Sequence, residues 1–234
     1  ARLAVTLPGR ATEPVRVVNA TGLGVSWQLQ GAQPTDAQPG ADPTEVVFLG
    51  ALGEGFHLVE RSAPDRAEDF LTLPSALPGE RVAFTLALSG PAAGLRLVEG
   101  TDTLEVLDER GAPRLRMLPP VISDAEGKRH RAAVSITGCQ VDHSPAAPWG
   151  RAVTTPGAQS CTVHLEWAGE HVAYPAVLDP TWVYTGTLAT ARFSHSLTAL
   201  PTGVVLAAGG ASGTSAAPSY LTSCELYDPT TETW

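Results

Sequence analysis

Glycine and proline punctuate this chain so densely that a long helix has nowhere to form. There are 23 Gly and 20 Pro in 234 residues, both residue types end regular segments, and no window of eleven or more residues holds a clean helical period. What fits between the breaks is a series of short strands. Strand-like runs fall at 3–7, 16–19, 25–29, 46–49, 56–60, 82–88, 95–98, 104–107, 115–118, 132–137, 162–167 and 172–178. Turn signals separate them at short intervals, the mark of a sandwich or open barrel. In the run 82–88 large side chains alternate with small or polar ones, which puts Val82, Phe84, Leu86 and Leu88 on one buried face. The expected fold class is all-β: a β-sandwich (or open barrel) over 1–180, then a different unit over 181–234. Two turn-rich stretches, 30–43 and 140–160, read as long surface loops, with Trp149 tucked back onto the sandwich.

Charge narrows the partners. The formal net charge is −9, which repels a phosphate backbone and argues against nucleic acid. No apolar run approaches the ~18 residues of a membrane span. Three cysteines stand at 139, 161 and 224, in a spacing that fits no paired zinc pattern. Cys139 ends one strand-like run and Cys161 begins another, so a disulfide would pin the loop between them; two free thiols are the alternative. A bridge would point to an oxidising compartment. Cys224 reads as a buried free thiol.

The last 54 residues carry a motif order. Thr181-Trp182 and Thr233-Trp234 lie 52 residues apart, enclosing Ala191-Arg192-Phe193-Ser194-His195-Ser196, the pair Gly209-Gly210, and Tyr227-Asp228. This resembles a kelch repeat, one blade of a β-propeller, whose period is about 50 residues. The resemblance implies structural places for Trp182, Arg192, His195, Gly209, Gly210, Tyr227, Asp228 and Trp234, and the start of a propeller with further repeats expected beyond Trp234. A lone blade leaves two sheet faces for neighbours to cover. Upstream, Asp108-Glu109-Arg110-Gly111, Pro119-Pro120-Val121-Ile122-Ser123-Asp124-Ala125-Glu126-Gly127 and Tyr174-Pro175-Ala176-Val177-Leu178-Asp179-Pro180-Thr181 are similar to the β-rich module that precedes repeats in secreted bacterial Rhs/YD-repeat and kelch surface proteins.

Sequence-local signatures of hydrolases, zincins and nucleotide enzymes are missing. Ala168-Gly169 reads as a hairpin turn pairing Glu166 with His171, either a metal site short of a third ligand or an exposed ion pair, and the ion pair is favoured. Asp102, Asp108, Glu109, Asp124 and Glu126 read as solvated turn acids rather than a calcium loop. His195 reads as hydrogen-bonded within the blade, with contact to a ligand in a central channel as the alternative. No catalytic residue, cofactor or metal ligand is assigned. The leading expectation is a secreted or cell-surface protein whose propeller binds a protein or glycan. Two rivals stand: a copper radical oxidase drawing on Tyr184, Tyr220, Tyr227, His195 and Cys224, and an intracellular kelch adaptor.

Overall fold

In the computed structural model the chain divides into two compact units, Ala1–Tyr184 and Thr185–Trp234. The structure describes residues 3–98, 100–146, 148, 151–184, 188, 190, 192–214, 217–227 and 234. Among these the fold is all-β, with antiparallel sheets and a single 3-10 turn at Pro78–Glu80. No helix is long and apolar enough to cross a membrane.

The first unit is two-layered. A six-stranded sheet runs Ala4–Thr6, Val15–Val18, Gly24–Leu29, Arg81–Ser89, Ser160–Glu166, Ala133–Thr137 in spatial order. An eleven-stranded sheet faces it, and buried side chains of both enter one cluster that includes Val25, Trp27, Phe84 and Leu86 from the first and Leu71, Leu104, Leu115 and Trp182 from the second. The alternation expected in 82–88 holds for Val82, Phe84 and Leu86, which are buried, while Leu88 is only partly so.

The centre of the larger sheet is its last strand in sequence. Ala176–Asp179 and Thr181–Tyr184 pair with Arg66–Leu73 in one continuous register, from Ala176 opposite Leu73 to Val183 opposite Arg66. The break between them is Pro180, whose carbonyl still accepts from Asp69 N at 3.3 Å. On its other side this stretch pairs with Val121–Ser123 and Pro113–Met117. Residues 176–184 thus form a closing strand that joins strands laid down much earlier. The unit boundary accordingly falls after Tyr184 rather than at 180, because Thr181-Trp182-Val183-Tyr184 completes this sheet.

The expected hairpin at Ala168-Gly169 does not form. Glu166 lies opposite Ala133 and Arg81, and the turn instead carries the chain from one sheet to the other. The loop 140–160 is also better held than a floppy excursion. Cys139 and Cys161 are bonded, with Cα atoms 5.3 Å apart, and Asp142 exchanges backbone hydrogen bonds with Leu95 and Leu97. A Cβ on Gly94 would meet Val153 Cγ1 at 2.6 Å and Thr154 O at 2.8 Å, so this strand needs glycine for the loop to lie on it. Trp149 lies outside the described residues. Loop closure over a separation of 22 residues is worth about 3 kcal/mol in the chain-entropy view. A Cys139→Ser/Cys161→Ser variant should show that loss in urea denaturation; an unchanged midpoint would assign the loop's order to its ion pairs alone.

In the second unit Ser196–Ala199, Val205–Ala208 and Cys224–Tyr227 form a three-stranded sheet, and Ala211–Thr214 pairs with Ala217–Tyr220 as a separate hairpin. Three strands, not the four of a blade, share a sheet among the described residues. Among the described residues there, Ala207 and Ala211 are the buried hydrophobics.

Candidate functional site

In the second unit Arg192 bonds one other motif residue, Gly209, together with Ser223 and Glu225. Its side chain is fully buried and donates to Gly209 O at 3.0 Å, Ser223 O at 2.8 Å, Ser223 Oγ at 3.1 Å and Glu225 Oε1 at 2.7 Å. A planar fork of five donors is suited to bridging carbonyls and a carboxylate at once. Both glycines take positive φ. A Cβ on Gly210 would fall 2.5 Å from Phe193 O and 2.9 Å from His195 N, so the close approach is to the unit's own chain. Tyr227 and Trp234 meet with ring centroids 5.2 Å apart. His195 departs from expectation: its Nδ1 is buried without a hydrogen-bond partner among the described residues. Cys224 is an exposed thiol, not a buried one, since its strand has too little packed against it to cover it. Asp228, with Ala191 and Thr233 of the same motif, lies outside the described residues.

Trp182 belongs elsewhere. It sits in the core of the first unit, stacked on Trp27 with centroids 5.2 Å apart and planes 22° apart, and is paired in register with Ala67 and Met117.

What the second unit leaves outside is apolar. Tyr220 is 83% exposed, Leu197 59% and Leu226 52%. Phe193, Pro218 and Tyr220 with Ser194, Gly210 and Ala211 line a surface cleft of about 490 Å³. Exposed aromatic side chains around a cleft commonly mark an interaction surface; Leu197 and Leu226 lie apart from it in register, on opposite faces of the three-stranded sheet.

The polar clusters of the first unit are structural. Glu105 receives Arg96 at 2.9 Å and Arg116 at 3.0 Å, while Arg96 also donates to Ser144 O and Arg151 reaches Asp142, tying Ser144 to the sheet and Arg151 to Asp142. Two of the turn acids organise their own turns, Asp108 accepting from Arg110 N and Ala112 N and Asp124 from Glu126 N and Lys128 N, while Asp102 accepts from Val134 N on a strand distant in sequence. His130 Nε2 meets Asp124 at 2.8 Å, and that bond with the neighbouring N–H donors holds the carboxyl down at about 2. Among the described residues no three His, Cys, Asp or Glu side chains gather to hold a metal.

Sequence reasoning missed one cluster. Glu60 and Asp69 lie opposite one another on adjacent strands, and both point into the core; they are 5% and 2% exposed. Trp27 Nε1 donates to Asp69 Oδ2 at 2.6 Å. Glu60 Oε2 and Asp69 Oδ1 have no partner among the described residues. Burial pushes Glu60 up to about 9, with the Asp69 charge adding to it. Burial likewise pushes Asp69 up to about 7, against the indole hydrogen bond that favours its ionised form.

Compared with known proteins, the chain matches no family, no curated protein and no solved structure. Its own geometry therefore carries the functional reading. That geometry offers an apolar cleft in one unit and a sealed pair of acids in the other. Neither is an assembled nucleophile and base.

Proposed function

We propose that this is a non-catalytic, exported binding or scaffold protein, in which the two-layered first unit acts as a spacer and the second, a kelch-type repeat, engages a protein or glycan. The supporting observation is the exposed cleft lined by Phe193, Pro218 and Tyr220, with Leu197 and Leu226 uncovered on opposite faces of the thin sheet, in a unit where Ala207 and Ala211 are the buried apolar residues among those described. A sheet so thinly covered gains by packing against something else. The motif order through Arg192, Gly209-Gly210, Tyr227 and Trp234 agrees with such a repeat, and the Cys139 to Cys161 bridge with an oxidising compartment. No observation favours the copper oxidase, since Tyr184 belongs to the first unit.

Two measurements test this reading. The full chain, applied to glycan arrays and to cross-linked cell-surface extracts, should be retained by a saturable ligand, with retention falling at least tenfold in Tyr220→Ser. Equal retention by that variant would move binding away from the cleft. Thiol alkylation of protein from its native compartment should label Cys224 at once and the other two only after reduction. Direct labelling of all three would remove export.

A further inference from the structure

We propose that Glu60 and Asp69 form a proton-operated latch on the closing strand of the first unit: while the pair holds its protons the strand 176–184 is locked into the sheet, and their loss loosens the row at Pro180. The row runs straight across three strands. Glu60 lies opposite Asp69, and Asp69 donates its N–H to Pro180 O. Pro180 has no N–H to return, so the ladder lacks a bond in the middle of a sheet, where proline is seldom found. The side chains beneath carry more of the load. Trp27 hydrogen-bonds Asp69 and stacks on Trp182, two residues beyond Pro180. Asp69, Pro180, Trp27, Trp182 and Met117 enclose a space of about 10 Å³, close to the size of one water.

Among the described residues no cation faces the pair. Around Asp69 the smaller sheet places the indole of Trp27 and the apolar Phe84, Leu86 and Val163, and the closing strand and its neighbour place Trp182 and Met117; Glu60 lies in register between Val46 and Asp69. The charge that reaches Asp69 from the closing strand is Asp179, which is itself an anion. The nearest arginines on these strands are engaged elsewhere: Arg61 holds Glu45 at 2.6 Å and Glu68 at 3.7 Å, and Arg66 holds Asp65 at 3.3 Å. Two adjacent buried carboxylates without a counter-charge cannot both ionise at ordinary cost. The neutral acids fit the space; the anions do not.

The sign follows from the direction of the shifts. Both groups sit above their ordinary values in the folded chain, so their contribution is complete below about pH 4. It is lost as pH rises through the neutral range to about 9, the value for Glu60. The first unit is thereby stable in acid and labile in base, opposite to a protein whose carboxylates are ion-paired.

The test uses the full chain. Between pH 5 and pH 9 its unfolding equilibrium constant, from urea titration at fixed ionic strength, should rise at least about a hundredfold. In Glu60→Gln/Asp69→Asn, which mimics the neutral acids, the rise should shrink to less than about tenfold, the remainder reporting general repulsion in an acidic chain. Should the double variant fail to fold, infrared difference spectroscopy of the wild-type chain decides. The carbonyl stretch of a protonated carboxylic acid should persist at pH 6, above the range of exposed carboxyls. Its absence there, or an unchanged pH slope in a folded double variant, overturns the latch.

Discussion

Trp182→Ala is expected to destabilise the first unit by about 3–5 kcal/mol, the cost of truncating a buried tryptophan. That is a large part of the 5–15 kcal/mol by which domains are usually stable. The reason is position as much as size. Trp182 is 2% exposed, on the closing strand that pairs with Arg66–Leu73 on one side and Pro113–Met117 on the other. Its neighbour in register toward Arg66–Leu73 is Ala67, which has no bulk with which to fill the hole. Trp27 would lose its stacking partner, worth about 0.5–1.5 kcal/mol beyond area burial, and with it part of the support for its hydrogen bond to Asp69. Urea denaturation followed by near-ultraviolet circular dichroism gives the midpoint, and Trp182→Phe should recover much of the loss. The result that sinks this account is a Trp182→Ala chain whose first unit melts normally while the second is lost, as the repeat-opening reading of Trp182 requires.

The sequence shows the strands whose alternation is clean and hides those where function or topology breaks it. The 82–88 run was legible because Val82, Phe84 and Leu86 occupy every second place, and the strand found there is Arg81–Ser89. The eight-residue strand Arg66–Leu73 was invisible, although Ala67, Leu71 and Leu73 alternate inward, because the fourth inward place is Asp69. A charge at a core position is what periodicity reading takes as the end of a strand. That same charge marks the one cluster that sequence reasoning missed, in keeping with the rule that local patterns fail where a structure is under tension or at work. The run 172–178 is a strand over Ala176–Asp179, while 181–184 departs from expectation for a topological reason. Thr181-Trp182 reads as the start of a repeat, yet pairing over long separations places it at the centre of the preceding sheet, and no local signal announces such a partner. Gly209-Gly210 and Arg192 were found by motif alone. What the motif did not convey is that the guanidinium holds Gly209 O, Ser223 and Glu225 together.

Arg192→Ala should unfold the second unit and leave the first intact. Hydrophobic burial cannot rescue it, since Ala207 and Ala211 are the buried apolar residues among those described there, and two methyl groups contribute little beside chain entropy. The order of the unit rests instead on one buried cation that bonds Gly209 O, Ser223 O, Ser223 Oγ and Glu225. Removing it takes the guanidinium from the Glu225 carboxylate, which also receives Thr190 N at 3.1 Å, and from the carbonyls of Gly209 and Ser223. Breaking one side of a buried ion pair costs about 3–5 kcal/mol, more than a unit of this size is expected to hold in reserve. Arg192→Lys should rescue poorly, because an ammonium on a single stem cannot span the four acceptors that the fork reaches. Glu225→Gln should be milder, since the amide oxygen still accepts. Limited chymotrypsin digestion provides the readout: cleavage beside Leu197, Tyr220 and Leu226 should accelerate at least tenfold in Arg192→Ala while fragments from within 3–184 stay protected. Unchanged cleavage would show that the second unit is held by something other than its arginine.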